Sequence, residues 1–200
     1  MLIGINGFKG VGKDTAGAYL VEKYGFERLS FAAKLKESAS ALFGFSGPEI
    51  WDELKNEDGS IVFFSEHGNA FHAIGFREFL QRYGTEAHRD IFGQDFWVDY
   101  ALKGIDPNKD YVFTDARFEN ELRRIRLLGG YNIKIERFNT TPTDDHPSEV
   151  EAPYGLIDVI VPNNGSYYDL YNSLDDAIKF LNEEDEYSDE YTSEYEYERS

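Results

Sequence analysis

The stretch that decides the fold is Leu2-Ile3-Gly4-Ile5-Asn6-Gly7-Phe8-Lys9-Gly10-Val11-Gly12-Lys13-Asp14-Thr15. Residues 2–6 read as an apolar strand, and a helix is predicted over about 15–24, with Gly25 as its stop. Between them lies a glycine-rich turn. Glycines let successive backbone N–H groups curl inward onto an oxyanion, and the helix that follows adds its positive end. Lys13 is spaced to bridge the β- and γ-phosphates of a nucleotide. The candidate phosphate ligands are therefore Gly7, Phe8, Lys9, Gly10, Val11, Gly12, Lys13, Asp14 and Thr15. The match to G-x-x-x-x-G-K-[ST] departs at one place: Asp14 holds the hydroxyl position and Thr15 comes one later. Ligation of magnesium by Asp14, by Thr15 or through water stays open at this point.

Outward from that turn the pattern alternates. Further strands are predicted at 26–31, 111–115, 131–136 and 157–161, and helices at 32–43, 76–92, 96–102, 118–128 and 167–181. Alternation of this kind implies an α/β fold with a mainly parallel sheet covered on both faces. Residues 61–64 and 70–74, around His67-Gly68-Asn69, read as an inserted β-hairpin. His67 and His72 have no metal-ligand company there and read as structural. A polar, proline-containing loop over 138–153 has the length of a mobile cover.

Composition narrows the classes. There is no cysteine, which excludes a disulfide framework and a thiolate metal site. No apolar run reaches the ~20 residues of a membrane span, and the chain is expected in the cytoplasm. The formal charge is −18. Residues 183–200 carry nine acidic residues and one arginine, a local −8 that leaves −10 on residues 1–182. An acidic body argues against a nucleic-acid partner. The last eighteen residues, apolar only at tyrosines, are expected to form a disordered tail behind a single domain of 1–182.

Phosphoryl transfer needs cations that spread charge over planar oxyanions, a task for arginine. Arg77 and Arg89 on one predicted helix are candidates for an acceptor phosphate. Arg117 follows the strand at 111–115, at the end of an open α/β sheet where ligands gather. Asp115, closing that strand, has the position of an acid that holds magnesium directly or through water. Lys13, Arg117 and Asp115 form the candidate catalytic set.

Four further segments carry a family resemblance. They are Phe76-Arg77-Glu78-Phe79-Leu80-Gln81-Arg82-Tyr83-Gly84-Thr85-Glu86, Gly93-Gln94-Asp95-Phe96-Trp97-Val98, Asp115-Ala116-Arg117-Phe118-Glu119-Asn120-Glu121 and His146-Pro147-Ser148-Glu149, beside Ala33-Lys34-Leu35-Lys36. With the Lys-Asp-Thr phosphate loop, the chain resembles the phage-type deoxynucleoside monophosphate kinase family over about residues 1–182. The resemblance implies a P-loop kinase three-layer fold, an inserted region that binds the nucleoside monophosphate, and a lid-like loop. It implies an ATP- and magnesium-dependent phosphotransferase that converts deoxynucleoside monophosphates to diphosphates for DNA synthesis. A homodimer is compatible with it, and a phage-encoded chain would act in host cytoplasm. The substrate residues it suggests are Lys36, Arg77, Gln81, Arg89, Trp97, Arg117, Asn120, Glu121, His146, Ser148 and Glu149. By analogy with P-loop kinases, Asn163 is expected against adenine. Two other readings are a P-loop kinase for dephospho-coenzyme A or a ribonucleoside monophosphate, and a nucleotide-binding regulator without catalysis.

Overall fold

A run of five apolar or small residues with no charge makes β1 (Leu2–Asn6) a central strand, buried along its whole length. The computed structural model describes residues 1–54, 59–64, 71–140 and 151–197, with backbone alone for 63–64, 71–72 and 184–197. The other strands are β2 (Glu27–Leu29), β3 (Ser60–Phe64), β4 (Phe71–Gly75), β5 (Tyr111–Phe113), β6 (Tyr131–Glu136) and β7 (Val159–Pro162). The helices are α1 (Lys13–Tyr24), α2 (Phe31–Phe43), α3 (Ile50–Leu54), α4 (Phe76–Gly84), α5 (Asp90–Phe92), α6 (Phe96–Leu102), α7 (Glu119–Leu127) and α8 (Tyr167–Tyr197). The chain divides into two compact units, Met1–Arg28 with Asn108–Ser200, and Leu29–Pro107.

The first unit is the predicted α/β sheet. Its strand order is β2-β5-β1-β6-β7. β1 runs parallel to β5 and to β6, and β6 parallel to β7. The chain thus builds to one side of β1 first and to the other side afterwards. Such a reversal opens a crevice at the carboxyl ends of the strands, and the phosphate loop follows β1 at that point. Alternation along β1 sorts the two faces. Ile3 and Ile5 join Ala16 and Leu20 of α1 and Leu170, Leu174 and Leu181 of α8 in one core. Gly4 turns to the opposite face, where an added Cβ would lie 2.4 Å from Cδ1 of Ile125 in α7. Helices therefore cover both faces, giving three layers.

The layer of α1 and α8 is fastened by a polar knot. Asp175 accepts hydrogen bonds from the Tyr19 hydroxyl (2.8 Å), the Tyr24 hydroxyl (2.7 Å) and Lys23 Nζ (2.5 Å). Burial, then the bond to Asp175, pushes the Tyr24 phenol up to about 12. Burial opposes the charge on Asp175, but the bonds from Lys23, Tyr24 and Tyr19 together hold its carboxyl below the usual range.

The second unit contains the expected hairpin, β3 antiparallel to β4. Its aromatic core stacks Trp51 on Phe79 at 5.6 Å and sets Phe43 edge-on to Phe79 at 5.1 Å. Trp51 lies on α3, which the sequence reading does not contain because five residues are too few to show a helical period. The expected helix over 76–92 is interrupted: Thr85–Arg89 is a π-helical turn between α4 and α5. Two carbonyls there are claimed by side chains. His88 Nδ1 donates to Tyr83 O at 2.6 Å and Trp97 Nε1 to Gly84 O at 3.0 Å, so side-chain bonds meet the backbone where the helix widens.

The last helix also differs from expectation. The sequence reading ends it at 181 and makes 183–200 disordered, whereas α8 continues as helical backbone to Tyr197. Propagating an existing helix costs far less than starting one, and glutamate is a good helix former. Like charges four apart cost only ~0.2–0.5 kcal/mol per pair.

Candidate active site

The phosphate loop owes its shape to two glycines. Gly12 has φ 105°, and a Cβ there would lie 2.5 Å from Asn163 Nδ2. Gly7 has φ 139°, and a Cβ there would lie 2.5 Å from the Ile135 carbonyl of β6. Neither position accepts an L side chain without strain. Lys13 opens α1, two residues earlier than predicted. It is buried, and its Nζ donates to the carbonyls of Gly7 (2.6 Å) and Phe8 (2.7 Å). The ammonium is thereby held inside the turn, among backbone amides that favour an anion.

Because β5 and β6 run parallel to β1, and β7 runs parallel to β6, the segments following these strands emerge at one edge of the sheet. Asp115 and Arg117 follow β5, half-buried. Their turn is pinned on two sides. Asn6 Nδ2 donates to the Ala116 carbonyl at 2.8 Å, and the Arg117 N–H donates to Glu121 Oε2 at 2.8 Å. Glu121 also accepts from the Phe118 N–H at 3.0 Å and is itself buried. It was expected at the substrate; its carboxylate instead caps α7 and shapes the turn before it. Asn120 beside it is half-buried on the first turn of α7.

Asn163 was expected against adenine. Its Nδ2 donates to the Val11 carbonyl at 2.8 Å, so the loop after β7 braces the phosphate loop. Its neighbour Asn164 accepts the Phe138 N–H at 2.7 Å through Oδ1. Further along β6, Lys134 is buried between Glu136 and Glu151, each at 2.8 Å. Burial works against its charge, but the bonds to Glu136, Glu151 and Tyr154 together hold the ammonium above the ordinary lysine range.

Two residues were missed by sequence reasoning. Arg28, on the edge strand β2, donates through Nε (3.0 Å) and Nη2 (2.8 Å) to Thr114 Oγ1 and pairs through Nη2 with Asp14. Thr114 is buried immediately before Asp115. A three-residue strand with an unremarkable Glu-Arg-Leu sequence offers no signal for either contact. Asp14 is thus an ion-pair partner here, and Thr15 is half-buried in the first turn of α1. No group of three His, Cys, Asp or Glu able to hold a metal exists among the described residues. Thr15, half-buried in the first turn of α1, and Asp115, half-buried after β5, are hard oxygen donors of the kind magnesium takes, one or two beside waters and substrate phosphates.

The second unit holds the other candidates. Arg77 is exposed on α4; Gln81 and Arg89 are half-buried, the latter closing the π-helical turn. Lys36 on α2 pairs with Asp52 at 2.7 Å. Trp97 is buried, and its ring N–H donates to the Gly84 carbonyl inside this unit. His146, Ser148 and Glu149, with most of the expected cover loop, and His67 lie outside the described residues.

Residues 51–174 match the model of the deoxynucleotide monophosphate kinase family. The chain is also 34% identical over 181 residues to a protein of Acanthamoeba polyphaga mimivirus assigned as a deoxynucleotide monophosphate kinase, covering 87% of this chain and 94% of that one. The chain belongs to the deoxynucleotide monophosphate kinase family. Two phage members of this kinase family align over less of their length. The deoxynucleotide monophosphate kinase of Escherichia phage RB69 is 31% identical over 52% of this chain and 44% of its own, and that of Enterobacteria phage T4 is 24% identical over 68% and 60%. Among solved structures, dephospho-CoA kinase from Campylobacter jejuni aligns over 90% of this chain and 96% of its own at 15% identity and a TM-score of 0.45, too loose a likeness to bear on function. The matched stretch of the family model holds Arg77, Gln81, Arg89, Asp115, Arg117 and Asn163, while the phosphate loop precedes it.

Proposed function

We propose that the protein transfers the γ-phosphoryl group of ATP to the phosphate of a deoxynucleoside monophosphate, forming ADP and the deoxynucleoside diphosphate. One observation carries this reading: a lysine held inside a glycine loop stands at the same sheet edge as the pinned Asp115–Arg117 turn, in a chain of this kinase family. An acceptor phosphate oxygen forms a bond to the γ-phosphorus as the bond from that phosphorus to the β–γ bridging oxygen breaks. The acceptor is already ionised, so no general base is required, and catalysis is positioning plus charge stabilisation. Lys13 follows the β- and γ-phosphates, and Arg117 holds the transferred group with its planar fork. Magnesium would be held by Asp115 and Thr15 with waters, and it supplies neutralisation of phosphate charge when bound. Arg77, Arg89, Gln81 and Lys36 are the candidates for holding the acceptor nucleotide. A protein without cysteine suits a reducing cytoplasm. Among the described residues no helix is long and apolar enough to cross a membrane.

The test is to incubate the protein with ATP, magnesium and each deoxynucleoside monophosphate in turn, measuring both products. ADP and the diphosphate are expected in equal amounts, with Lys13→Ala slower by orders of magnitude. Formation of ADP without any diphosphate would remove the acceptor class.

A further inference from the structure

The first turn of α1 carries a charge of the wrong sign for its task. Asp14 occupies the position where the phosphate-loop pattern has a hydroxyl, and its side chain is 84% exposed at the helix end that receives an anion. A bare carboxylate there would repel a di- or triphosphate. Arg28 meets it. The guanidinium does not depend on Asp14 for its place, because both Nε and Nη2 rest on Thr114 Oγ1. Thr114 is a rigid floor: it is buried, and its Cγ2 lies 2.2 Å from where a Cβ on Gly17 of α1 would stand. The Arg28–Asp14 pair itself is exposed on both sides, an arrangement worth little to folding stability. Its effect on a neighbouring anion is another matter, since a neutral pair and a lone carboxylate differ by a full unit of charge.

We infer that Arg28 is a positioning residue for nucleotide binding: it neutralises Asp14 at the mouth of the phosphate loop and holds that carboxylate as an ion-pair partner instead of a magnesium ligand. The inference rests on the ATP reading of this loop.

Calorimetric titration with ADP in EDTA tests it without magnesium and without turnover, on the wild type, Arg28→Ala, Asp14→Asn and the double variant. Arg28→Ala is expected to weaken ADP binding about tenfold with little change in melting temperature. Asp14→Asn should bind at least as tightly as the wild type, and the double variant should return to within about threefold of it. Equal weakening by Arg28→Ala in both backgrounds would overturn the inference, as would no weakening at all. If Arg28→Ala fails to fold, Asp14→Asn alone decides: a tenfold loss there would show that the carboxylate itself serves the ligand. A wild-type protein that binds no ADP strikes instead at the ATP reading.

Discussion

Glu121 shows how a single buried side chain can shape the turn that carries a candidate site residue. Its carboxylate takes two backbone N–H groups that would otherwise be orphaned at the start of α7, one of them belonging to Arg117. Glu121→Ala should cost about 2–3 kcal/mol of stability in denaturant unfolding and lower kcat more than it raises KM for ATP. A stability loss below about 0.5 kcal/mol would mean water replaces the carboxylate. At this scale the sequence is legible where chemistry is local. The places of Lys13, Asp115 and Arg117 in the fold are readable because a strand end or a glycine turn fixes them. Arg28 and Asn163 are not, since each acts on a partner far along the chain, at Thr114 and Val11, and neither residue type nor spacing reveals such a meeting. Trp97 is a further case: its motif is readable, while the bond from its ring N–H to a carbonyl thirteen residues earlier is not.

Among elements, the contact between α1 and α8 is the one with a pH signature. Tyr24 is held neutral in the fold, with its phenol raised from the ordinary 10.0 to about 12. A group whose folded value is raised contributes stability that is complete below its unfolded value and lost as pH climbs through the folded one. The melting temperature should therefore fall between pH 10 and about 12. Asp175, held low, adds stability above the ordinary carboxylate range that is lost in acid. Asp175→Ala should lower stability at neutral pH by about 1–3 kcal/mol and flatten both limbs of the profile, as followed by thermal melts. An unchanged alkaline limb would assign it to burial of the Tyr24 phenol or to other tyrosines. Most elements were readable from period and punctuation, β1 and α6 to the residue. The π-helical turn was not, because residue period does not reveal side-chain bonds such as those of His88 and Trp97 to the carbonyls just before it. Nor was the extension of α8, where composition argued for disorder and helix propagation prevailed.

For the whole molecule, the separation into two units divides the expected work. The expected phosphate loop belongs to the sheet unit, whereas Arg77 and Arg89, expected at the acceptor, belong to Leu29–Pro107. The acidic extension beyond the sheet unit's core is expected to serve neither task. Deleting residues 183–200 should leave kcat and both KM values within about twofold of the full chain, and loss of activity would give that segment a role.

The stem of the inserted unit lies in the sheet itself. The Glu27 N–H donates to the Asp110 carbonyl at 2.8 Å, and Lys109 Nζ meets Glu27 Oε1 at 2.5 Å, so the chain leaves and re-enters at one stapled point. Everything from Leu29 to Pro107 hangs from a closed clasp. Such a clasp makes the middle of the chain an exchangeable cassette: inserts of other lengths can be spliced in without reopening the sheet, because the ends they must join are already side by side.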